Sequence, residues 1–461
     1  MNKTNLIYGV KDKPGVWKTI LFAFQQVLAI LAATIAVPAI VQNGMSQSAA
    51  LLGAGVGTLV YLLFTKFKSP VFLGSSFAFI GSMLAAFGGA ASVSVGYIGI
   101  ILGAVLAGLV YVIIAVVVKF AGVNWIDKIM PASVIGPTVA VIGLSLSGNA
   151  VKDAVMRLAT DGNGAYVMNL NGLLGLLCAL VTLATIIICS VYGKKTIKTI
   201  PFIIGILAGY VLATIITLIG IASKNEELIL VNFTLFKDMQ WRPQFTFVEA
   251  FKGFKDLSDF GSYFVTVAVA YVPVAFVVFA EHLADHKNIS SIIGEDLTKD
   301  PGLHRTLLGD GVGSIAGAFF GGCPNTTYGE SVGCVAISGN ASVVTIFTAA
   351  IICIVAAFFA PFVTFLSTIP ACVMGGVCIS LYGFIAVSGL KMIQKVDLNQ
   401  NHNLFTVAVI LIAGVGGMAL NFGGITLTAV ACALILGILV NLLTSKASKA
   451  QETTETTTDA E

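Results

Sequence analysis

The chain has 461 residues, of which 57% are hydrophobic and only 10% are charged, with a formal net charge of +3 at neutral pH. Soluble domains carry about 25% charged residues, and a mean hydropathy of +0.97 indicates a polytopic membrane protein instead. The basic residues form no single patch that would bind nucleic acid, and no polar stretch between the apolar runs is long enough for a soluble catalytic domain.

Apolar segments long enough to cross a bilayer, about 20 residues each, follow one another from Trp17 to Leu443. No cleavable signal pattern precedes the first segment, so we interpret it as a true span. The pattern predicts an all-α integral membrane protein with fourteen transmembrane segments. They are 17–42, 46–65, 71–90, 95–118, 131–147, 169–192, 199–222, 262–293, 303–320, 323–338, 341–366, 370–390, 403–420 and 425–444.

The loops carry their basic residues on one side of this predicted topology. If residues 1–16 are cytoplasmic, the cytoplasmic loops contain Lys66, Lys68, Lys119, Lys128, Lys194, Lys195, Lys198, Lys287, Lys299, Arg305, Lys391 and Lys395. The short outer loops near 43–45, 88–94, 321–323, 367–370 and 420–424 contain no Lys or Arg. This distribution follows the positive-inside rule and places both termini in the cytoplasm. We expect residues 223–261 to form an extracellular connector and the polar tail 445–461 to be disordered.

Two interrupted segments occupy matching positions in the two halves of the chain. The third span begins SPVFLGSSFAFIGS at Ser69, and the tenth begins CPNTTYGESVGC at Cys323. Each places a proline before two hydroxyl residues and an aromatic residue. Short, interrupted spans in corresponding positions of two repeats indicate the binding site of a transporter. Fourteen spans then divide into two repeats of seven, with unpaired backbone amides at both interruptions.

Four acids lie within or beside apolar spans, where a charged side chain costs about 2.5–3.5 kcal/mol. They are Glu281, Asp285, Asp310 and Glu330. Glu281 and Asp285 are four residues apart and share a helix face, and His282 and His286 form the neighbouring stripe. This cluster is either the cytoplasmic end of a helix or a functional site. Glu330 follows an interruption and precedes further apolar sequence, and this position favours a functional role. Asp310 could equally form a structural hydrogen bond or bind a ligand.

The sequence lacks the ligand patterns that are typical of a metal site. His282, His286 and Asp285 could hold a metal from one helix turn, as in an intramembrane metalloenzyme, but no HExxH motif or further ligand cluster accompanies them. The eight cysteines lie mostly inside apolar segments without paired metal spacing, so we interpret them as packing residues. We expect no metal site, no other cofactor and no enzymatic activity.

Several segments closely resemble the bacterial uracil permeases of the nucleobase/ascorbate transporter family, over the region from Trp17 to about Leu443. They are LGSSFAFI, AEHLADH, DPGLHRTLLGDGVGSIAGAFFGGCPNTTYGESVG and LYGFIAVSGL. The resemblance implies a multi-pass protein of the bacterial plasma membrane, with two inverted repeats of seven spans and short strands in spans 3 and 10. It implies a core domain of residues 17–118 and 262–366, and a gate domain of residues 131–222 and 370–444. It also implies a homodimer formed through the gate domain.

The resemblance further implies a substrate site. The base-binding glutamates match Glu281 and Glu330, and the main-chain amides that hold the carbonyls of the base match Phe77 and Gly329. Tyr328 matches a tyrosine of the same site. The edge of uracil alternates N–H donors with C=O acceptors, so carboxylates and backbone amides complement it.

Import of uracil coupled to protons is the function that this resemblance implies, with the proton gradient as the energy source. Carboxylates close together in an apolar environment can hold a proton near neutral pH. The residues expected to support the site and its proton coupling are Asp285, His282, His286 and Tyr382.

The sequence departs from the family pattern at five positions. Asp285 and Gln26 each stand where His is common, and Ser331, Ser338 and Gly339 replace the usual Asn, Thr and basic residue. Purine transporters of the family usually have an acid at the position of Asp285, so a symporter of xanthine or another oxopurine is the alternative. His282 and Glu330 differ from the residues that are usual in those purine transporters, so they favour uracil as the substrate. An anion exchanger or channel is an alternative from another class, but two glutamates at its site would repel anions.

Overall fold

The structure is a computed structural model that describes residues 6–458, except 123–124, 157, 162, 195–196, 198–199, 258 and 422–425. Lys195 and Lys198 of the predicted cytoplasmic loops lie outside the described residues. The helices of the N-terminal half are α1 (Val16–Val41), α2 (Gln47–Phe64), α3 (Ile80–Gly88), α4 (Val93–Ala121), α5 (Ile126–Ile129), α6 (Ala132–Ser145), α7 (Ser147–Ala154), α8 (Leu170–Tyr192) and α9 (Pro201–Ser223).

Short helical turns at Glu226–Leu228 and Phe233–Asp238 cross the connector to the C-terminal half, where a turn at Thr298–Gly302 precedes α12. The helices of that half are α10 (Thr246–Gly253), α11 (Phe260–Ile293), α12 (Leu303–Gly321), α13 (Gly329–Ser338), α14 (Val343–Ala357), α15 (Ala360–Thr368), α16 (Ala371–Ile393), α17 (Asn401–Val415) and α18 (Ala429–Thr458). The strands are β1 (Leu73–Ser75), β2 (Asn325–Thr327), β3 (Leu420–Asn421) and β4 (Thr426–Leu427).

Eight helical segments among the described residues are long and apolar enough to cross a membrane. They are Val16–Val41, Gln47–Phe64, Val93–Ala121, Ala132–Ala154, Leu170–Tyr192, Pro201–Ser223, Phe260–Ile293 and Ala371–Ile393. The bent pair α14 and α15 makes a ninth if it is counted as one span. The total of fourteen spans stays a prediction, because the other segments are shorter, interrupted or more polar.

Two predicted segments differ in shape from the sequence-based expectation. The predicted span 341–366 consists of two helices that meet at 81°. Pro361 lies in the first turn of the second helix, and a proline disfavours helical geometry in the residue before it. At the C-terminus, α18 continues to Thr458, into the tail predicted to be disordered. Residues 445–452, SKASKAQE, include Ala, Lys, Gln and Glu, which have high helix propensity.

The helices pack in two groups. In the first group, α1–α4 pack with α11–α14, and α12 contacts both α2 and α4 extensively. In the second group, α6–α9 pack with α16–α18, and α16 contacts α6, α7 and α8. Contacts between the groups are fewer and involve mainly α1 and α11. The space between the groups is therefore bordered on the first side by α1, α11 and α13.

The strands β1 and β2 join the two halves of the chain inside the first group. They pair antiparallel, with Leu73 opposite Thr327 and Ser75 opposite Asn325. The Asn325 side chain donates a hydrogen bond of 2.8 Å to the carbonyl of Gly53 on α2. A Cβ at Gly317 of α12 would lie 2.3 Å from the same Asn325 side chain. Glycine at Gly317 thus allows the strand pair to sit between α2 and α12.

The N-terminal segment adds a further layer at the end of α13. The amides of Ile7 and Tyr8 donate to the carbonyl of Gly339, at 2.7 and 3.1 Å, and the amide of Ala341 donates to the carbonyl of Tyr8 at 2.9 Å. Val10 on this segment is buried in the core. These bonds satisfy backbone groups at the end of α13 that the helix itself leaves without partners.

Candidate functional site

The two short strands β1 and β2 pair inside the first helix group, and each is followed by a short helix. Phe77 lies between β1 and α3, and Tyr328 lies between β2 and α13. Tyr328 donates a hydrogen bond of 2.6 Å to the carbonyl of Ser75, across the strand pair. Because the strands are antiparallel, α3 and α13 follow opposite ends of the same short two-stranded sheet. Helix N-termini expose backbone N–H groups and favour electron-rich atoms.

A cavity of about 480 Å³ lies between the two helix groups. Four of the predicted site residues contribute to its wall: Glu281, Asp285, Gly329 and Glu330. The first two come from α11 and the last two from the first turn of α13. The structure thus brings the carboxylate of Glu330, from a distant part of the sequence, to the two carboxylates of α11. No Lys or Arg of the described residues contributes to the wall of this cavity.

The support for Asp285 comes from the strand pair. The hydroxyl of Thr327 donates a hydrogen bond of 2.8 Å to Asp285 Oδ2. A Cβ built on Gly329 would lie 3.8 Å from Asp285 Oδ1. The carboxylate of Asp285 is consequently held beside the N-terminus of α13, where the helix dipole stabilises negative charge.

The two predicted histidines lie behind the cavity and not in its wall. Both side chains are fully buried, and their rings stack with centroids 4.0 Å apart. His282 Nδ1 lies 2.7 Å from Asp310 Oδ2, and His282 Nε2 lies 3.0 Å from the hydroxyl of Thr306. The hydroxyl of Thr326 also donates to Asp310 Oδ2, at 3.3 Å. Asp310 thus connects α11, α12 and β2 directly behind the acids of the cavity.

The predicted aromatic residues are close to the site but buried beneath its surface. Phe77 and Tyr382 pack edge to face, with ring centroids 5.8 Å apart. This pair joins the first helix group to α16 of the second group. Tyr328 is also buried, and none of these three residues is among the described residues that form the wall of the cavity.

Sequence reasoning missed the side of the cavity that the second helix group supplies. The wall residues that it did not identify include Val139, Ser190, Pro201, Phe202, Leu381, Phe384, Ile385, Ser388 and Met392. Phe202 and Phe384 pack edge to face with centroids 6.0 Å apart. Apolar residues occur throughout these spans, so no local signal distinguishes the ones that face the cavity.

Two of the departures from the family pattern are in direct contact. The Gln26 amide on α1 donates to the hydroxyl of Ser331 on α13, and also to its carbonyl at 3.3 Å. The same hydroxyl accepts a hydrogen bond of 3.0 Å from the amide of Phe72, just before β1. Ser331 therefore connects α1, β1 and the helix that carries Glu330.

No group of three or more His, Cys, Asp or Glu side chains in the described part of the chain is arranged to hold a metal ion. The chemistry that the cavity offers is that of hydrogen-bond acceptors from three carboxylates, with helix N-terminal donors beside them. Such a wall complements a small ligand that has both N–H and C=O groups on its edge.

A helical membrane protein with a cavity between two helix groups, next to two interrupted segments, has the architecture of a secondary transporter. Residues 17–423 match the Permease family, and the chain belongs to this family. The family consists of permeases, which are transporters and not enzymes.

Among curated relatives, the uracil permease of Bacillus subtilis is 38% identical over 98% of this chain and 99% of its own length. The uracil permease of Bacillus caldolyticus is 38% identical over 96% of this chain and 95% of its length. The uracil permease of Escherichia coli K12 is 33% identical over 95% of this chain and 94% of its length.

Two solved structures share the fold. The transmembrane domain of a cyanobacterium bicarbonate transporter has a TM-score of 0.63 and 16% identity, and the alignment covers 94% of this chain and 99% of that one. The murine solute carrier 26 family member A9 anion transporter, in the inward-facing state, has a TM-score of 0.65 and 12% identity, covering 95% of this chain and 69% of that one. The mostly helical fold is thus that of known membrane transporters.

Proposed function

We propose that the protein imports uracil together with protons across the bacterial plasma membrane by alternating access. The observation that carries this proposal is the convergence of Glu281 and Glu330 on one cavity at the start of α13. Relatives named uracil permease, similar over nearly the whole chain, support uracil as the substrate.

The proposed site matches the hydrogen-bonding pattern of uracil. The carboxylates of Glu281 and Glu330 accept from the two ring N–H groups, and the backbone amides of Phe77 and Gly329 donate to the two carbonyls. Tyr328 braces the site through its bond to Ser75. A site of this kind rejects ligands that leave one of its buried polar groups unpaired.

The proposed transport cycle uses the two helix groups as the core and gate domains of a fourteen-span inverted repeat. The core is residues 17–118 and 262–366, the gate is residues 131–222 and 370–444, and the protein is a homodimer that pairs through the gate in the lipid bilayer. The cavity between the groups supports this division. Its wall extends to Pro201 and Met392, beside the lysine-bearing loops, which supports a state open to the cytoplasm.

Proton coupling is proposed to act through the charge of the acid cluster. Three carboxylates without a Lys or Arg in the described wall are costly to move through an apolar barrier. A proton taken up with uracil reduces this charge, which lets the loaded core move against the gate. Asp285 and the pair His282 and His286 are the proposed groups that share and support the proton, and Tyr382 is the proposed gate residue that contacts the core at Phe77.

The experiment that tests this function is uptake of radiolabelled uracil into proteoliposomes with an imposed inward proton gradient. Accumulation that collapses with an uncoupler is the expected result. Uracil that equilibrates without responding to the gradient would contradict proton coupling, and the absence of any uracil uptake would contradict the substrate.

A symporter of xanthine or another oxopurine is the second candidate, favoured by the carboxylate of Asp285 in the cavity wall. A third acceptor could bind an additional N–H group of a purine. Excess unlabelled xanthine in the same assay separates the two candidates. Uracil uptake that is unchanged by excess xanthine supports a site selective for uracil. Full competition by xanthine supports a site that also binds oxopurines.

Narrowing the cavity is predicted to block uptake without disturbing the fold. Gly333 is in the cavity wall, and a Cβ there would meet nothing within 4 Å. Gly333→Leu should lower uracil uptake by about 5- to 100-fold, because crowding a fitted site costs about 1–3 kcal/mol. The matched control is Gly383→Leu, which also adds a side chain to open space but lies outside the described cavity wall. Equal uptake by both variants would show that the cavity is not the substrate path.

A further inference from the structure

A smaller cavity, of about 180 Å³, lies at the predicted outer face of the first helix group, away from the acids. Three segments form its wall: the start of α2, the helix α15 and residues 240–244 of the connector. The wall is mostly polar, with hydroxyls from both helices and side-chain amides from Gln240 and Gln244. Transport as proposed above assigns no role to this cavity.

The start of α2 brings backbone donors to the cavity. Ser46 caps this helix, and its hydroxyl accepts a hydrogen bond of 3.3 Å from the amide of Ala49. Ser48 is buried in the first turn, and its hydroxyl lies 2.8 Å from that of Ser46. The first amides of a helix have no partner within the helix, and this end of the helix dipole favours negative charge. Ser46 and Ser48 both contribute to the wall, so the positive end of α2 adjoins the cavity.

Thr364 on α15 supplies a hydroxyl that the protein itself does not pair. This residue contributes to the cavity wall although it is only 7% exposed. Its side chain forms no hydrogen bond within the described structure. On the same helix, the hydroxyls of Ser367 and Thr368 donate to the carbonyls of Val363 and Phe365, at 3.1 and 2.7 Å. Buried polar groups are nearly always paired, so the hydroxyl of Thr364 indicates a ligand in the cavity.

The charge of the wall indicates that this ligand is an anion. Arg242 contributes a guanidinium group, and it forms no ion pair within the described structure. No Asp or Glu side chain that the structure describes contributes to the wall. A phosphate group offers several acceptor oxygens, and arginine binds phosphate with two parallel hydrogen bonds. The donors of the wall therefore match a phosphate group.

The surroundings of the cavity indicate that the phosphate belongs to a lipid. Trp241 is 59% exposed and packs edge to face on Phe359, which is 53% exposed, with ring centroids 6.3 Å apart. Tryptophan is enriched at the depth of the lipid headgroups. Leu235 in the cavity wall and the nearby Phe358 are also exposed apolar side chains. A polar pocket beside exposed apolar side chains suits a phosphate whose acyl chains lie along the protein.

We propose that this cavity binds the phosphate group of an outer-leaflet phospholipid. Arg242 and the hydroxyl of Thr364 donate to the phosphate oxygens beside the positive end of α2. The bound phosphate holds the connector between α9 and α11 against α2 and α15, so the lipid stabilises the protein. This proposal does not rest on the identity of the transported substrate.

Phosphatidylglycerol is the probe, added to the full chain after purification in a neutral detergent has removed bound lipid. Arg242→Gln removes the positive charge, and Thr364→Val removes the hydroxyl while keeping the shape of the side chain. The control for charge is Lys237→Gln, on the same connector but outside the described wall. The control for the hydroxyl is Thr348→Val on α14, where the hydroxyl donates to the carbonyl of Val344 at 2.8 Å.

Native mass spectrometry measures the affinity for phosphatidylglycerol, and thermal unfolding measures the stabilisation that the lipid provides. Arg242→Gln should weaken binding at least about tenfold, and Thr364→Val about 2- to 10-fold, because each removes a donor to a charged group. Both controls should bind within about twofold of the wild type. Without lipid, all four variants should unfold at about the temperature of the wild type, which separates loss of the ligand from damage to the fold.

Two further probes separate the parts of the lipid. Dioleoylglycerol, which lacks the phosphate, should bind at least about tenfold more weakly than phosphatidylglycerol. Equal binding of the two would overturn the role of the phosphate. Inorganic phosphate that gives the full thermal stabilisation would assign the cavity to a soluble anion and overturn the lipid.

The variants provide the remaining contradicting outcomes. Unchanged binding of phosphatidylglycerol by Arg242→Gln would overturn the site. A loss in Lys237→Gln equal to that in Arg242→Gln would assign the binding to the general positive charge of the connector, and would overturn the site as well.

Discussion

Replacement of Glu330 by glutamine is expected to reduce uracil uptake by about 10- to 100-fold, because a hydrogen bond to a charged group contributes about 1.5–3 kcal/mol. Glu330 is in the first turn of α13 and faces the cavity opposite Glu281 on α11. A glutamine keeps the shape of the side chain but replaces a two-oxygen acceptor with one that also carries donors. Glu281→Gln should have the same effect for the same reason.

The matched control for both variants is Glu249→Gln. Glu249 is on α10 and forms an ion pair with Lys252 at 2.7 Å, outside the described cavity wall. Partly exposed pairs of this kind contribute about 0–1 kcal/mol, so uptake should be nearly unchanged. Purified protein and uptake are measured for all three variants at equal density in the vesicles. Normal uptake by Glu330→Gln and Glu281→Gln would remove both residues from the mechanism.

Replacement of Gly317 by leucine is expected to prevent the transporter from folding. An added Cβ would lie 2.3 Å from the Asn325 side chain, which itself holds the backbone of α2 at Gly53. The leucine must displace the buried Asn325 side chain and break its hydrogen bond to Gly53, or shift the strand β2 that carries it. Small residues at such helix contacts permit close packing in membranes. The displaced strand would carry Thr327 and the start of α13 with it, so the site would be lost with the fold.

The measurement for Gly317→Leu is the yield of monodisperse protein in mild detergent, followed by thermal unfolding. Gly148→Leu is the control, because a Cβ on Gly148 meets nothing within 4 Å. We expect little or no monodisperse Gly317→Leu protein and a near-normal yield of the control. A folded Gly317→Leu variant with full uptake would contradict the described crossing of the strands between α2 and α12.

Helix positions could be predicted well where the membrane itself constrains the sequence. The predicted spans 17–42 and 169–192 agree closely with α1 (Val16–Val41) and α8 (Leu170–Tyr192). An apolar run of bilayer length is a local property, so the sequence contains it directly. The pairing of Leu73 with Thr327 is not local, because it joins residues of two different halves, and its register depends on side chains such as Asn325.

The candidate site shows the same division between local and distant signals. Glu281, Asp285 and Glu330 are acids in apolar segments, and the free-energy cost of placing a charged side chain in the membrane identifies them as functional candidates. In the structure all three face one cavity. His282 and His286 follow the acids by one residue, and a helix turns about 100° per residue. That rotation directs the histidines away from the cavity, towards Asp310 and Tyr61, and no sequence pattern indicated these partners.

Whether uracil binds between the two glutamates is decided by a structure of the purified protein with bound uracil. We expect the pyrimidine ring in the cavity between the helix groups, with ring N–H groups within hydrogen-bond distance of Glu281 and Glu330 and a carbonyl facing the N-terminus of α13. Uracil bound elsewhere, or an empty cavity at a saturating uracil concentration, would contradict it.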